Sequence, residues 1–235
     1  MPSTRTSTHP TGHTAVCPGH TVVVCLPPHH PLQNLPELAT STLAAHGLSA
    51  TGVVPHFIAG TRRTSKLIDR WQGMTSGGPI NLLDLDRGRR TAAAAAAAHW
   101  LLWQQVVAGT KPAQPLWAYL DRHHTDPLRY PLDRAHAEYS AQPRILAMTA
   151  FNALPYRPVE LPTAALEALQ AGSNTYATLA WLSAVPADGL APAHGGWLTA
   201  STDRLNDQLV YLQAANAYLA SLPRDAQLVA VATPV

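Results

Sequence analysis

Two apolar, β-branched runs near opposite ends of the chain constrain its fold more than anything between them: HTVVVCLP at 20–27 and AQLVAVATPV at 226–235. A strand this apolar needs partners on its edges and cover on its faces, and the first run is the natural partner of the last. A third run, GVVPHFIAG, reads as a buried strand over 52–58. It follows LQNLPELATSTLAAHGL, where Leu35, Leu38, Leu43 and Ala44 fall near helical spacing and Gly47 ends the pattern. If strands 21–26 and 52–58 are parallel, their helical crossover is right-handed. The fold expected is α+β, with a small mixed sheet made by this strand-helix-strand unit plus the 227–233 strand, packed against a helical majority.

The helical middle region spans 86–222. In the Ala-rich stretch after INLLDLD, Trp100, Trp103 and Val107 share a stripe with Ala93, Ala96 and Ala97, which predicts close packing on one side and a stop at Gly109. Further helices are expected over 64–72, within PLWAYLDRHH, across 132–154 with a break at Pro143, over 163–171 up to Gly172, and over 174–184 with Ser173 as cap. HGGWL at 194–198 has the signature of a hairpin turn between GLAPA and WLTAS. From Asp203 a helix with Leu205, Leu209, Leu212 and Leu219 inward runs to Pro223, Asp203 and Asp207 lying at its positive end.

With 235 residues and no long Gly/Ser or charged linker, residues 19–235 read as one domain behind a disordered tail, 1–18. Charged residues make up only 13% of the chain, a surface so thinly charged that it favours self-association into a homo-oligomer. A net charge of +2 is too small for the whole protein to act as a polyanion binder, so any such role must come from local clustering. Two cysteines, an N-terminus without the apolar core of a signal peptide, and no run of about 20 apolar residues point to a soluble cytoplasmic protein without membrane contact.

Clustering is strongest between 62 and 90, where Arg62, Arg63, Lys66, Arg70, Arg87, Arg89 and Arg90 fall. Gly77 and Gly78 lie between them as a loop that lets backbone approach a ligand, and a strand end feeding a helix offers free N–H groups to an anion. This corner predicts binding of a phosphorylated small molecule or a nucleic-acid backbone. Fourteen of the sixteen basic residues are Arg, the residue suited to bidentate phosphate pairing, although a GC-rich genome yields the same bias.

A second candidate is the echo LDRHH and LDRAH. Asp121 with His124, and Asp133 with His136, sit at i and i+3, so each pair can offer a carboxylate and an imidazole on one helix face. These four residues are the expected catalytic set if the protein is a metal-assisted or acid/base hydrolase. Cys17, His20, Cys25 and His29 or His30 imitate zinc spacing, but strand alternation separates His20 from Cys25. Asp84 and Asp86 form a DxD that suits either Mg²⁺ or a helix cap. The tryptophans suit core packing better than base stacking. No Walker A, GxGxxG, GxSxG, HExxH or paired CxxC pattern occurs, so the sequence names no cofactor and leaves a third expectation open, a non-catalytic structural or assembly protein.

Overall fold

The computed structural model describes residues 20–61 and 64–234. It opens with β1 (His20–Leu26), α1 (Leu35–Ala45), β2 (Gly52–Val53) and β3 (Phe57–Ile58). Next come β4 (Met74–Thr75), β5 (Gly77–Pro79), α2 (Leu85–Val106), α3 (Leu116–Thr125), α4 (Leu132–Ser140) and α5 (Pro143–Asn152). The chain finishes with α6 (Leu166–Gln170), α7 (Ser173–Ser183), β6 (Gly189–Ala191), β7 (Leu198–Thr199), α8 (Leu205–Ser221) and β8 (Gln227–Thr233).

The two end strands meet as expected. β1 and β8 pair antiparallel along their whole length, from His20 opposite Thr233 to Leu26 opposite Gln227. On the other edge of β1 lies β6, parallel, with β7 antiparallel beyond it. β2 and β5 share the far edge of β8 end to end, with Gly52 opposite Ala232 and Gly77 opposite Val229. β8 therefore has partners on both sides, and every one of its residues is buried. β1 and β2 are parallel to each other, as a strand-helix-strand unit requires, but β8 is inserted between them.

Strand alternation gives the sheet two apolar faces. Val22, Val24, Leu26, Val229 and Val231 pack on one side against Leu35, Ala39 and Leu43, the i, i+4, i+8 stripe of α1. Val23, Cys25, Leu228 and Ala230 pack on the other against Leu179 of α7 and Tyr211, Leu212, Ala215 and Leu219 of α8. Each such fully buried aliphatic side chain contributes about 1.5–3 kcal/mol, so the sheet is held by burial on both faces.

A second core is mostly helical, built from Trp103 and Val107 at the end of α2 with Tyr119, Tyr139, Ile145, Met148, Leu166 and Leu169. The alanine stripe does its expected job: Ala96 is buried, and α2 lies along α7 in the most extensive helix pair. Arg144 fixes the loop after α2, donating to the Thr110 hydroxyl and carbonyl and to Gln170 Oε1 while stacking over Trp103. Asn152 bonds both backbone groups of Leu161. Pro143 divides α4 from α5 and begins the second, where its missing N–H costs nothing.

Several local expectations are corrected. Strand 52–58 is two strands: β2 belongs to the main sheet, whereas β3 pairs with β4 in a separate hairpin, and Pro55 between them has no N–H to continue the ladder. The helix over 64–72 is absent beyond a single 3-10 turn, Thr64–Lys66. In its place the chain folds into a tight hairpin in which Trp71 and Met74 exchange both backbone hydrogen bonds around Gln72 and Gly73 at φ +48° and +85°. Gly77 and Gly78 do not form a loop; they are buried in β5. Gly172, not Ser173, occupies the N-cap of α7.

Candidate functional site

The basic residues of 62–90 part company. Arg62 and Arg63 lie outside the described residues. Lys66, Arg70, Arg87 and Arg90 are exposed. Arg89 is engaged within the fold: its guanidinium donates to Asn216 Oδ1 at 2.9 Å on α8 and lies 4.9 Å from the Trp181 ring centroid on α7, tying three helices together. Asp84 is the N-cap of α2, its Oδ1 accepting the Arg87 N–H, and Asp86 meets Arg89 at 3.4 Å. The main chain at Gly60 is held on the segment that leads into that helix, with Gly60 N donating to Leu82 O and Asp84 N to Ile58 O, both at 2.8 Å.

Asp121, His124, Asp133 and His136 are all exposed, and none lines any of the cavities described below. Asp121 is ion-paired to Arg204 at 2.7 Å. The half-buried imidazole of this region is His123, whose Nδ1 lies 3.0 Å from Tyr130 O. Glu138 accepts hydrogen bonds from the Tyr130 hydroxyl and Arg134 Nε, which hold its carboxyl below the usual carboxylate range. Among the described residues no three His, Cys, Asp or Glu side chains come together as a metal site would need. Cys25 points into the sheet core, where burial pushes its thiol up to about 12, so at neutral pH it is a small apolar residue and not a thiolate. Cys17 lies outside the described residues.

A cavity of about 540 Å³ lies elsewhere, across the end of the sheet where β1 and β6 begin and β8 ends. Its volume falls within the range of small-molecule sites. Asp188, the residue before β6, is among its lining residues. Thr21 N donates to Asp188 Oδ2 at 2.8 Å, Asp188 N donates back to Thr21 O at 3.0 Å, and His20 Nδ1 lies 3.9 Å from Oδ2. Ala187 before it adopts φ +53°, unusual for a residue with a Cβ, where the chain leaves α7 for the strand.

Trp197 forms one wall, its six-membered ring packed so closely on Gly189 that any Cβ there would lie 2.4 Å from Cη2. Tyr211 forms part of the floor. Its hydroxyl donates to Pro186 O at 3.0 Å, and burial first, then the negative field of Asp188, pushes the phenol far above its ordinary value. The rim is the 199–203 segment. Ser201 and Thr202 both donate to Asp207 in the first turn of α8, and these two hydrogen bonds hold the Asp207 carboxyl below its usual range. Arg204 follows, but it is engaged by Asp121 and stacks over Trp117 at 4.6 Å, and it does not line the cavity. A smaller cavity of about 140 Å³ lies beneath Trp117 and Glu167 and shares Asp203 with the first.

Of the cavity residues the sequence singles out the strand and hairpin arms, Leu212 and Asp203 for structural reasons and His20 for an imitation of zinc spacing, none of them for this site. Asp188-Gly189 carries no motif. Its partners Thr21 and His20 are separated from it by most of the chain, so periodicity had no means of bringing them together. The chain matches no known protein family, no curated protein and no solved structure.

Proposed function

We propose that the protein binds a small polar molecule in the cavity at the end of the sheet. The observation that carries this reading is the composition of that 540 Å³ space: an aromatic wall, a carboxylate fixed by backbone at Asp188, and a hydroxyl-rich rim, built on the end of the main sheet. Proton–nitrogen correlation spectra recorded against a panel of cationic, neutral and anionic small molecules test it. Shifts should concentrate on residues 187–189 and 197–203 and vanish in a Trp197→Ala variant. Shifts confined to 64–70 and 87–90 would sink the reading.

That last outcome would favour the phosphorylated-ligand reading, which one observation supports. The chain enters the basic segment at Gly60, held against the 82–84 segment that leads into α2, and Lys66, Arg70, Arg87 and Arg90 are exposed. On this second proposal a nucleotide or nucleic-acid strand binds with strong salt dependence, and an Arg62→Ala, Arg63→Ala double variant loses it. Unchanged binding by that variant removes the proposal.

A further inference from the structure

Resting on the cavity reading, we infer that the molecule it takes carries a protonated amine. The inference comes from an account of which lining groups still have protons to give. Six hydroxyls line the space, and each directs its single proton to an acceptor inside the protein. Ser183 donates to Ala180 O, Thr199 to Asp188 O, Ser201 and Thr202 to Asp207, Tyr211 to Pro186 O, and Thr233 to His20 O. A hydroxyl that has spent its proton presents only lone pairs. Gln208 directs one Nε2 hydrogen to Asp203 O and keeps the other, and its amide oxygen remains able to accept.

The charges have the same sign. Asp188 and Asp203 both line the cavity, and among the described residues no Lys or Arg does, His20 being the sole basic group. Asp188 Oδ2 is occupied by the Thr21 N–H, and Oδ1 accepts no hydrogen bond among the described residues. Phosphates and carboxylates would meet acceptors and negative charge here. An ammonium group brings several N–H donors and a positive charge to a lining dominated by acceptors and two carboxylates, and Trp197 supplies a ring of the kind that attracts cations. A neutral polyol would find acceptors but no charge to pair with.

Matched probes test this: glucosamine and spermidine against glucose and glucose phosphate, followed by calorimetry and by the Trp197 indole resonance. The amines should bind and the others should not. Asp188→Asn and Asp203→Asn should each weaken amine binding about tenfold or more, the loss of a charge-assisted hydrogen bond, while Glu37→Gln in the exposed first turn of α1 should leave it unchanged. If glucose binds as tightly as glucosamine and the Asp→Asn variants bind normally, the amine inference falls and the cavity reading stands. Preference for the phosphate also overturns the inference. Failure of every probe to move the Trp197 resonance at millimolar concentration removes the inference and the cavity reading together.

Discussion

The chain contains two Gly-Gly pairs, and the fold uses them for opposite purposes. Gly77 and Gly78 are buried in β5, against the middle of β8. A Cβ on Gly77 would come 2.1 Å from the carbonyl oxygen of Leu228, and one on Gly78 would come 2.9 Å from that of Lys66. Gly195 and Gly196 are exposed at the turn between β6 and β7, with nothing within 4 Å of either added Cβ. The first pair is there because main chain must approach main chain, whereas in the second Gly195 alone is there because the chain must turn. A glycine pair in a sequence thus says that a side chain is unwanted without saying whether the cause is a neighbour or a dihedral angle, and only the partner strand decides.

Gly77→Ala is the sharpest way to break this comparison. The obstructing atom is backbone in the most buried strand, so neither partner can swing aside and β5 must separate from β8. A loss of about 3 kcal/mol or more is expected, at the upper end for overpacking. Denaturant unfolding measures it, and a near-neutral result would mean that β5 is not seated on β8.

Gly189→Ala probes an intermediate case. Here the obstruction is a side chain, Cη2 and Cζ2 of Trp197 at 2.4 and 2.5 Å, and a half-buried ring can rotate outward. The expected cost is smaller, about 1–2 kcal/mol, but the displaced ring is the wall of the cavity, so ligand binding should fall further than stability does. A variant that is destabilised yet binds normally would show that Trp197 does not shape the site.

What could be read from the sequence divides along the same line. The pairing of 21–26 with 227–233, the two faces of β1, the Ala/Trp stripe of α2, the break at Pro143 and the 189–199 hairpin all follow from local periodicity or from an apolar strand needing cover. Gly77 and Gly78 were misread because a ligand loop and a close backbone contact place the same demand on a residue. The helix expected over 64–72 gives way to a hairpin because β5, just beyond, is paired with β8 and bridges through Gly77 to Ile68, whose carbonyl also accepts from Thr75 Oγ1. The cavity could not be read, since Asp188, Trp197 and Tyr211 converge on His20 only through the β1–β6 pairing.

Acid should separate the two regions further. His56 sits beside the first pair, its backbone N–H bonded to Thr75 O and its ring Nε2 3.2 Å from Val185 O. Burial lowers its pKa from 6.5, against smaller opposing effects from the Val185 carbonyl and Asp188. The unfolded chain therefore takes up this proton first. The contribution of neutral His56 to stability is complete above pH 6.5 and is lost as pH falls from there through the lowered folded value. Unfolding midpoints measured across that window should decline more steeply for the native protein than for His56→Gln, and parallel curves would remove His56 from the account.

The smallest effect is expected at the turn. Gly195 has φ +122°, so Gly195→Ala places a Cβ in a strained conformation and should cost about 1 kcal/mol. Gly196 has neither a positive φ nor a neighbour, and Gly196→Ala should change stability by no more than about 0.5 kcal/mol, because the backbone entropy removed from the unfolded chain offsets any slight local cost. The graded series Gly77, Gly189, Gly195, Gly196 then reports approach by backbone, approach by a side chain, dihedral need alone, and no need at all. If Gly196→Ala unfolds the protein as readily as Gly77→Ala does, the 195–196 turn is a packed element, and the open rim assigned to the cavity beside it would have to be redrawn.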